Sequence, residues 1–151
     1  HFGIRPEQLA LESGRPVLLV PRAYGAAALN EHALIAWDGK RAAARALADA
    51  MHILETKDSV TVLTVGNADL ESYQGDDIVK LLERHGIEAR RLHRQRDARG
   101  IAATILDTCR ETGAGLLVMG AYQHSAVSEA LFGGTTNDIM ADAHIPVLMS
   151  H

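Results

Sequence analysis

The chain has 151 residues, 47% of them hydrophobic, with a formal net charge of −4. That length suits one domain with a core large enough to fold alone. The mild acidity argues against a nucleic-acid or anionic-membrane surface, since both usually carry a basic excess. No stretch approaches the roughly 20 apolar residues of a membrane span, and the first residues do not read as a secretory signal. The single cysteine, Cys109, has no partner for an internal disulfide, which points to a reducing, cytoplasmic compartment.

Residues 6–13 read as a short helix with Pro6 in its first turn, stopped by Gly14. Pro16 to Val20 is an apolar strand closed by Pro21, and residues 22–31 read as a linker. Residues 33–37 form a strand buried on both faces, ended by Asp38-Gly39. A helix is predicted over 40–56, with Ala43, Ala46, Leu47, Ala50, Ile53 and Leu54 at helical spacing. Val60 to Val65 is the next strand, and residues 69–85 a second helix stopped by Gly86. Residues 87–93 form a polar strand whose charges suit a sheet edge. A third helix covers 97–112. It sets Cys109 on an apolar face with Ile101, Ile105 and Leu106, which favours a core cysteine over a reactive thiol. Then come a strand at Leu116 to Met119, a glycine loop, a fourth helix around 126–143, and a last strand over 146–150.

From residue 33 onward, strands and helices alternate. That pattern predicts a mostly parallel sheet with right-handed crossovers and helices on both faces. Ligands of such sheets sit outside the carboxyl ends of strands, where the strand order reverses. Asp38 and Gly120 both fall at carboxyl ends, so they can face each other across one crevice.

The run Val118-Met119-Gly120-Ala121-Tyr122-Gln123-His124-Ser125, followed by Phe132-Gly133-Gly134-Thr135-Thr136, reads as strand, glycine turn and helix start. There, backbone N–H groups can approach a phosphate and the helix dipole favours negative charge. Two adjacent glycines weaken a helix by roughly 1 kcal/mol each, so Gly133-Gly134 asks for a ligand or for close packing, with a ligand favoured. Asp38-Gly39 has a plainer reading as the turn and cap that open a helix. Trp37 reads as core or crevice wall.

The two ends of the chain echo each other. Leu9 to Leu18 and Ile139 to Leu148 both read as a helix end, a short break and Pro-Val-Leu, about one domain length apart. Residues 1–21 then read as the tail of a preceding copy of the same domain. Its strand needs a partner, and the strand at 146–150 is the obvious one, within one chain or between two.

The order Ala33-Leu34-Ile35-Ala36-Trp37-Asp38-Gly39, an Ala-rich helix, Leu117-Val118-Met119-Gly120-Ala121-Tyr122 and a Pro146-Val147-Leu148 ending resembles the universal stress protein family, and most the second half of tandem bacterial members. The resemblance covers residues 33–150. It implies a Rossmann-like α/β domain over 31–151, a five-stranded parallel sheet of order 3-2-1-4-5, with residues 1–30 as repeat tail and linker. It also implies a homodimer through the last strand, 146–150, and the unpartnered strand 16–20 offers a second or additional route to the same pairing. ATP-binding members carry G-x-x-G, nine residues, then G-[S/T]. Gly120 and Gly133 match this pattern, Gln123 and Gly134 depart from it, and Thr135 follows directly. A Gln at a position needing positive φ costs on the order of 1 kcal/mol or more.

By this resemblance the nucleotide-contacting set is Ala36, Trp37, Asp38, Val65, Gly120, Gln123, His124, Gly133, Gly134, Thr135 and Thr136. The ligand is ATP, or AMP or ADP, with magnesium accompanying ATP. Eight histidines are scattered without metal-ligand spacing, and neither a nucleophile elbow nor a Walker lysine occurs. No catalytic residue is therefore expected, and a slow ATPase is the furthest enzymatic reading. The basic run from Arg90 to Arg96 reads as a solvated edge. Two functions stand: a nucleotide-regulated stress module, and a nucleotide-free dimerisation module of the same fold.

Overall fold

A computed structural model describes residues 12–25, 31–66, 68–121 and 134–151. The elements in chain order are β1 (Val17–Leu19), β2 (His32–Ala36), α1 (Arg41–Leu54), β3 (Ser59–Val65) and α2 (Ala68–Arg84). They continue with β4 (Ala89–Arg94), α3 (Ile101–Thr112), β5 (Leu116–Gly120), α4 (Gly134–Asp142) and β6 (Val147–Ser150). The helix expected over 6–13 falls almost wholly outside the described residues, as does the first half of the helix expected around 126–143.

One sheet of six strands runs in the order β1-β6-β5-β2-β3-β4. The strands β4, β3, β2, β5 and β6 are parallel and follow the expected order. The expectation of a five-stranded, all-parallel sheet is nevertheless corrected. β1 joins the end of the sheet antiparallel to β6, pairing Val17 with Met149 and Leu19 with Val147. The sheet is therefore mixed. The direction has a simple cause. An antiparallel β1 ends at the amino edge of the sheet, where β2 must begin, so no crossover is needed. It also pairs backbone groups of β6 that would otherwise face solvent.

Alternate residues of each strand face opposite sides. Leu34, Leu63, Leu117, Met119 and Met149 pack with Ile105, Leu106 and Cys109 of α3 and Ile139 of α4. Ala33, Ile35, Val60, Val62 and Val118 pack with Ala46, Leu47 and Leu54 of α1 and Leu82 of α2. Cys109 is fully buried, and burial pushes its thiol up to about 12, in keeping with the core reading.

Some ends shift for visible reasons. α3 starts at Ile101, not near residue 97, because Asp97 bridges Gly100 in a tight turn with Gly100 at φ 112°. Gly113, at φ 72°, then caps its far end. β4 lies at the sheet edge as its charges required. Its basic run is largely matched inside the chain: Arg91 meets Asp76 at 3.4 Å and Arg94 meets Glu111 at 2.5 Å. Among the described residues, no helix is long and apolar enough to cross a membrane.

Candidate functional site

β2 lies between β3 and β5. The chain leaves β2 towards β3 through α1 and leaves β5 towards β6 through α4. Strand order therefore reverses between β2 and β5, and the place expected for a ligand is at their carboxyl ends. Register sets Ala36 opposite Met119 and Leu63, so Trp37, Asp38 and Gly120 sit together at this edge with Val65. α4 carries the chain from this edge to the amino end of β6, so its first residues, Gly134, Thr135 and Thr136, start on the same side. Gln123, His124 and Gly133 lie outside the described residues.

The Trp37 N–H donates to the Leu63 carbonyl at 2.8 Å, extending the ladder one residue past β2. Its indole is partly buried against the α1–α2 side of the sheet, as a crevice wall. The indole Nε1 is buried and has no hydrogen-bond partner among the described residues. Asp38 is exposed, and its Oδ1 accepts the Lys40 N–H at 2.9 Å. With Gly39 at φ 76°, this turn opens α1, whose N-cap Lys40 contributes no side-chain cap. The structural role considered for Asp38 is thus present. Its second oxygen is taken by no described residue.

Gly120 has its own packing reason. A Cβ there would lie 2.6 Å from the Ala43 backbone nitrogen and 2.7 Å from the Ala42 carbonyl carbon. The first turn of α1 lies too close for any side chain, so Gly120 is required without any ligand. Gly134 is the opposite case. A Cβ there would meet only Asp138 Oδ2, at 4.0 Å. The first described turn of α4 holds no acidic residue, and the nearest carboxylate is that of Asp138, one turn further on. Thr135 is half-buried beside it, and Thr136 is buried at 3% exposure.

His93 was not singled out in the sequence. Its Nε2 lies 3.0 Å from the Gly66 carbonyl, and its Nδ1 lies 2.7 Å from Thr64 Oγ1. A carbonyl only accepts, so Nε2 carries the proton, and in the neutral ring Nδ1 accepts from Thr64. Gly66 also donates its N–H to the Arg94 carbonyl at 3.0 Å. His93 therefore fixes the backbone on both sides of Val65. Thr64 and His93 are register partners, a relation invisible until the strands are aligned.

The elements make a doubly wound α/β domain whose strand order switches between β2 and β5. The sequence matches the universal stress protein family over residues 30–151, and the chain belongs to that family. No curated protein matches it in sequence. Among solved structures it is similar to a universal stress protein of Archaeoglobus fulgidus DSM 4304, at 18% identity and TM-score 0.71, covering 95% of this chain and 52% of that one. It thus spans about half the length of that relative. It is also similar to the universal stress protein UspA of Lactobacillus plantarum, at 20% identity and TM-score 0.60, covering 78% of this chain and 95% of that one. A third is a universal stress protein in complex with cAMP, at 19% identity and TM-score 0.61, covering 80% of this chain and 96% of that one.

Proposed function

We propose that this stress-response module binds ATP or a related adenine nucleotide, AMP or ADP included, across the carboxyl ends of β2 and β5. The nucleoside lies beside Asp38 and Val65, and the phosphates lie on the stretch from Gly120 to Thr136. The observation that carries this reading is Gly134. A glycine in a helix costs on the order of 1 kcal/mol, no packing among the described residues requires one here, and its bare backbone lets an anion approach α4 closely. The free oxygen of Asp38 is a fitting acceptor for a ribose hydroxyl or a base amine. The similar protein in complex with cAMP supports an adenine nucleotide as the ligand class. Among the described residues no group of three or more His, Cys, Asp or Glu could hold a metal ion. Magnesium would therefore arrive with the triphosphate.

The nucleotide acts by biasing one conformation or assembly over another, which requires different affinity for the two states. The sequence contains no Walker-type lysine, and efficient turnover is not part of this reading. Residues 1–30 are the tail and linker of a preceding repeat, a reading supported by the Pro-Val-Leu echo and by the longer Archaeoglobus relative. The lone buried cysteine fits a cytoplasmic setting. Thermal melting with and without millimolar ATP tests the proposal. A rise of several degrees supports it, and no rise with ATP, ADP, AMP or cAMP overturns it.

The second reading, an assembly module without nucleotide, is favoured by one feature. β6 is paired on both sides, so two copies cannot join edge to edge through it unless β1 leaves. Among the described residues nothing pairs with the outer edge of β1, and Leu18 and Val20 are 52% and 59% exposed. A pairing of copies would then run through strand 16–20.

A further inference from the structure

The amino edge of the sheet, opposite the crevice, carries a line of side-chain hydrogen bonds across three strands. Arg90 of β4 donates from Nε to Thr61 Oγ1 of β3 at 3.3 Å. Thr61 Oγ1 lies 2.8 Å from His32 Nε2 of β2, and His32 Nδ1 lies 2.7 Å from Ser59 Oγ. A guanidinium can only donate, so Arg90 sets the direction of the line. Thr61 is fully buried, and its hydroxyl has these two partners among the described residues. The hydroxyl proton therefore has one acceptor, His32 Nε2. The ring is neutral, with its own proton on Nδ1, donated to Ser59.

Other groups face His32 from each neighbouring element. They are Glu31 before β2, Asp58 at the start of β3, Glu88 and Arg90 at β4, and Thr112 at the end of α3. Together they line an open cleft of about 400 Å³. The three carboxylates are exposed and screened by solvent. His32 is only 8% exposed, and the nearest cation is bonded to the same hydroxyl that it accepts from.

We propose that His32 is a proton-sensitive fastener for the amino ends of β2, β3 and β4. A proton taken from solvent onto Nε2 removes the acceptor that the Thr61 hydroxyl has among the described residues. It also sets two cationic donors, His32 and Arg90, against one oxygen. Burial first, and the Arg90 charge second, hold the ring below its ordinary 6.5, against a smaller opposite effect from Ser59. The unfolded chain takes up this proton near the ordinary value while the folded chain resists it. Stability is therefore full above about pH 6.5 and falls as pH drops through that value. Mild acid loosens the domain at this edge whether or not a nucleotide occupies the other.

The test uses the full chain. Nitrogen-detected NMR of the histidine rings near neutral pH should show His32 as the Nδ1–H tautomer, with a titration midpoint below the ordinary histidine range. Arg90→Met should raise that midpoint. Between about pH 7.5 and pH 5, the native protein should lose several degrees of Tm more than His32→Gln does. An Nε2–H tautomer, a midpoint at or above the ordinary value, or equal Tm losses in the two proteins would overturn the proposal. Should His32→Gln not fold, the ring titrations of the native and Arg90→Met proteins decide the matter.

Discussion

The Gly120 Cα and the Ala43 backbone nitrogen stand so close that a Cβ on Gly120 would be only 2.6 Å from that nitrogen. Backbone cannot swing aside as a side chain can. Gly120→Ala should therefore destabilise the ligand-free protein by about 1–3 kcal/mol through overpacking. Urea unfolding without nucleotide measures it. An unchanged midpoint would mean that α1 yields freely, and Gly120 would need a different reason.

Asp38 separates its two roles by substitution. Asp38→Asn keeps an oxygen for the Lys40 N–H and should melt within a degree or two of the native protein. Asp38→Ala removes that bond and should cost about 0.5–1.5 kcal/mol. Both should weaken nucleotide binding if the second oxygen meets the nucleoside. An Asn variant with full affinity would confine Asp38 to opening the helix.

His93→Leu should leave the fully buried Thr64 hydroxyl and the Gly66 carbonyl without their ring partner. The expected cost is about 1–3 kcal/mol, with faster amide exchange around Val65. Unchanged exchange there would show that the pairing with Arg94 alone holds this backbone.

The Cys109 thiol, pushed up to about 12, stays protonated in the folded protein through mildly alkaline pH. Alkylation should be slow in native buffer and at least tenfold faster in denaturant. Rapid labelling of the native state would contradict the packing between α3 and the sheet.

Much of this architecture was legible from residue pattern, because burial on two faces leaves strong marks. Ala33 to Ala36 and Leu116 to Met119 are unbroken apolar runs, and they lie side by side in the centre. The charges of Arg90, Arg91 and Arg94 marked an edge, and β4 is one. The echo at Pro16 to Leu18 identified β1 and its partner. Its antiparallel direction depends on where the linker must deliver the chain, and no local pattern encodes that. Gly120 was legible as a special position but not for its cause, since the approach of α1 is a tertiary fact. The pairs His32–Thr61 and Thr64–His93 exist only through strand register, with 28 residues or so of chain between partners.

Calorimetric titration of nucleotide-stripped protein with Mg-ATP, native and Gly134→Val, decides whether phosphates bind beside Gly134. Among the described residues no packing opposes the Val, so the variant should fold, with melting close to that of the native protein. Binding to the native chain should be micromolar and weakened at least tenfold by the Val. No heat with the native chain, or equal affinity in the two proteins, would contradict it.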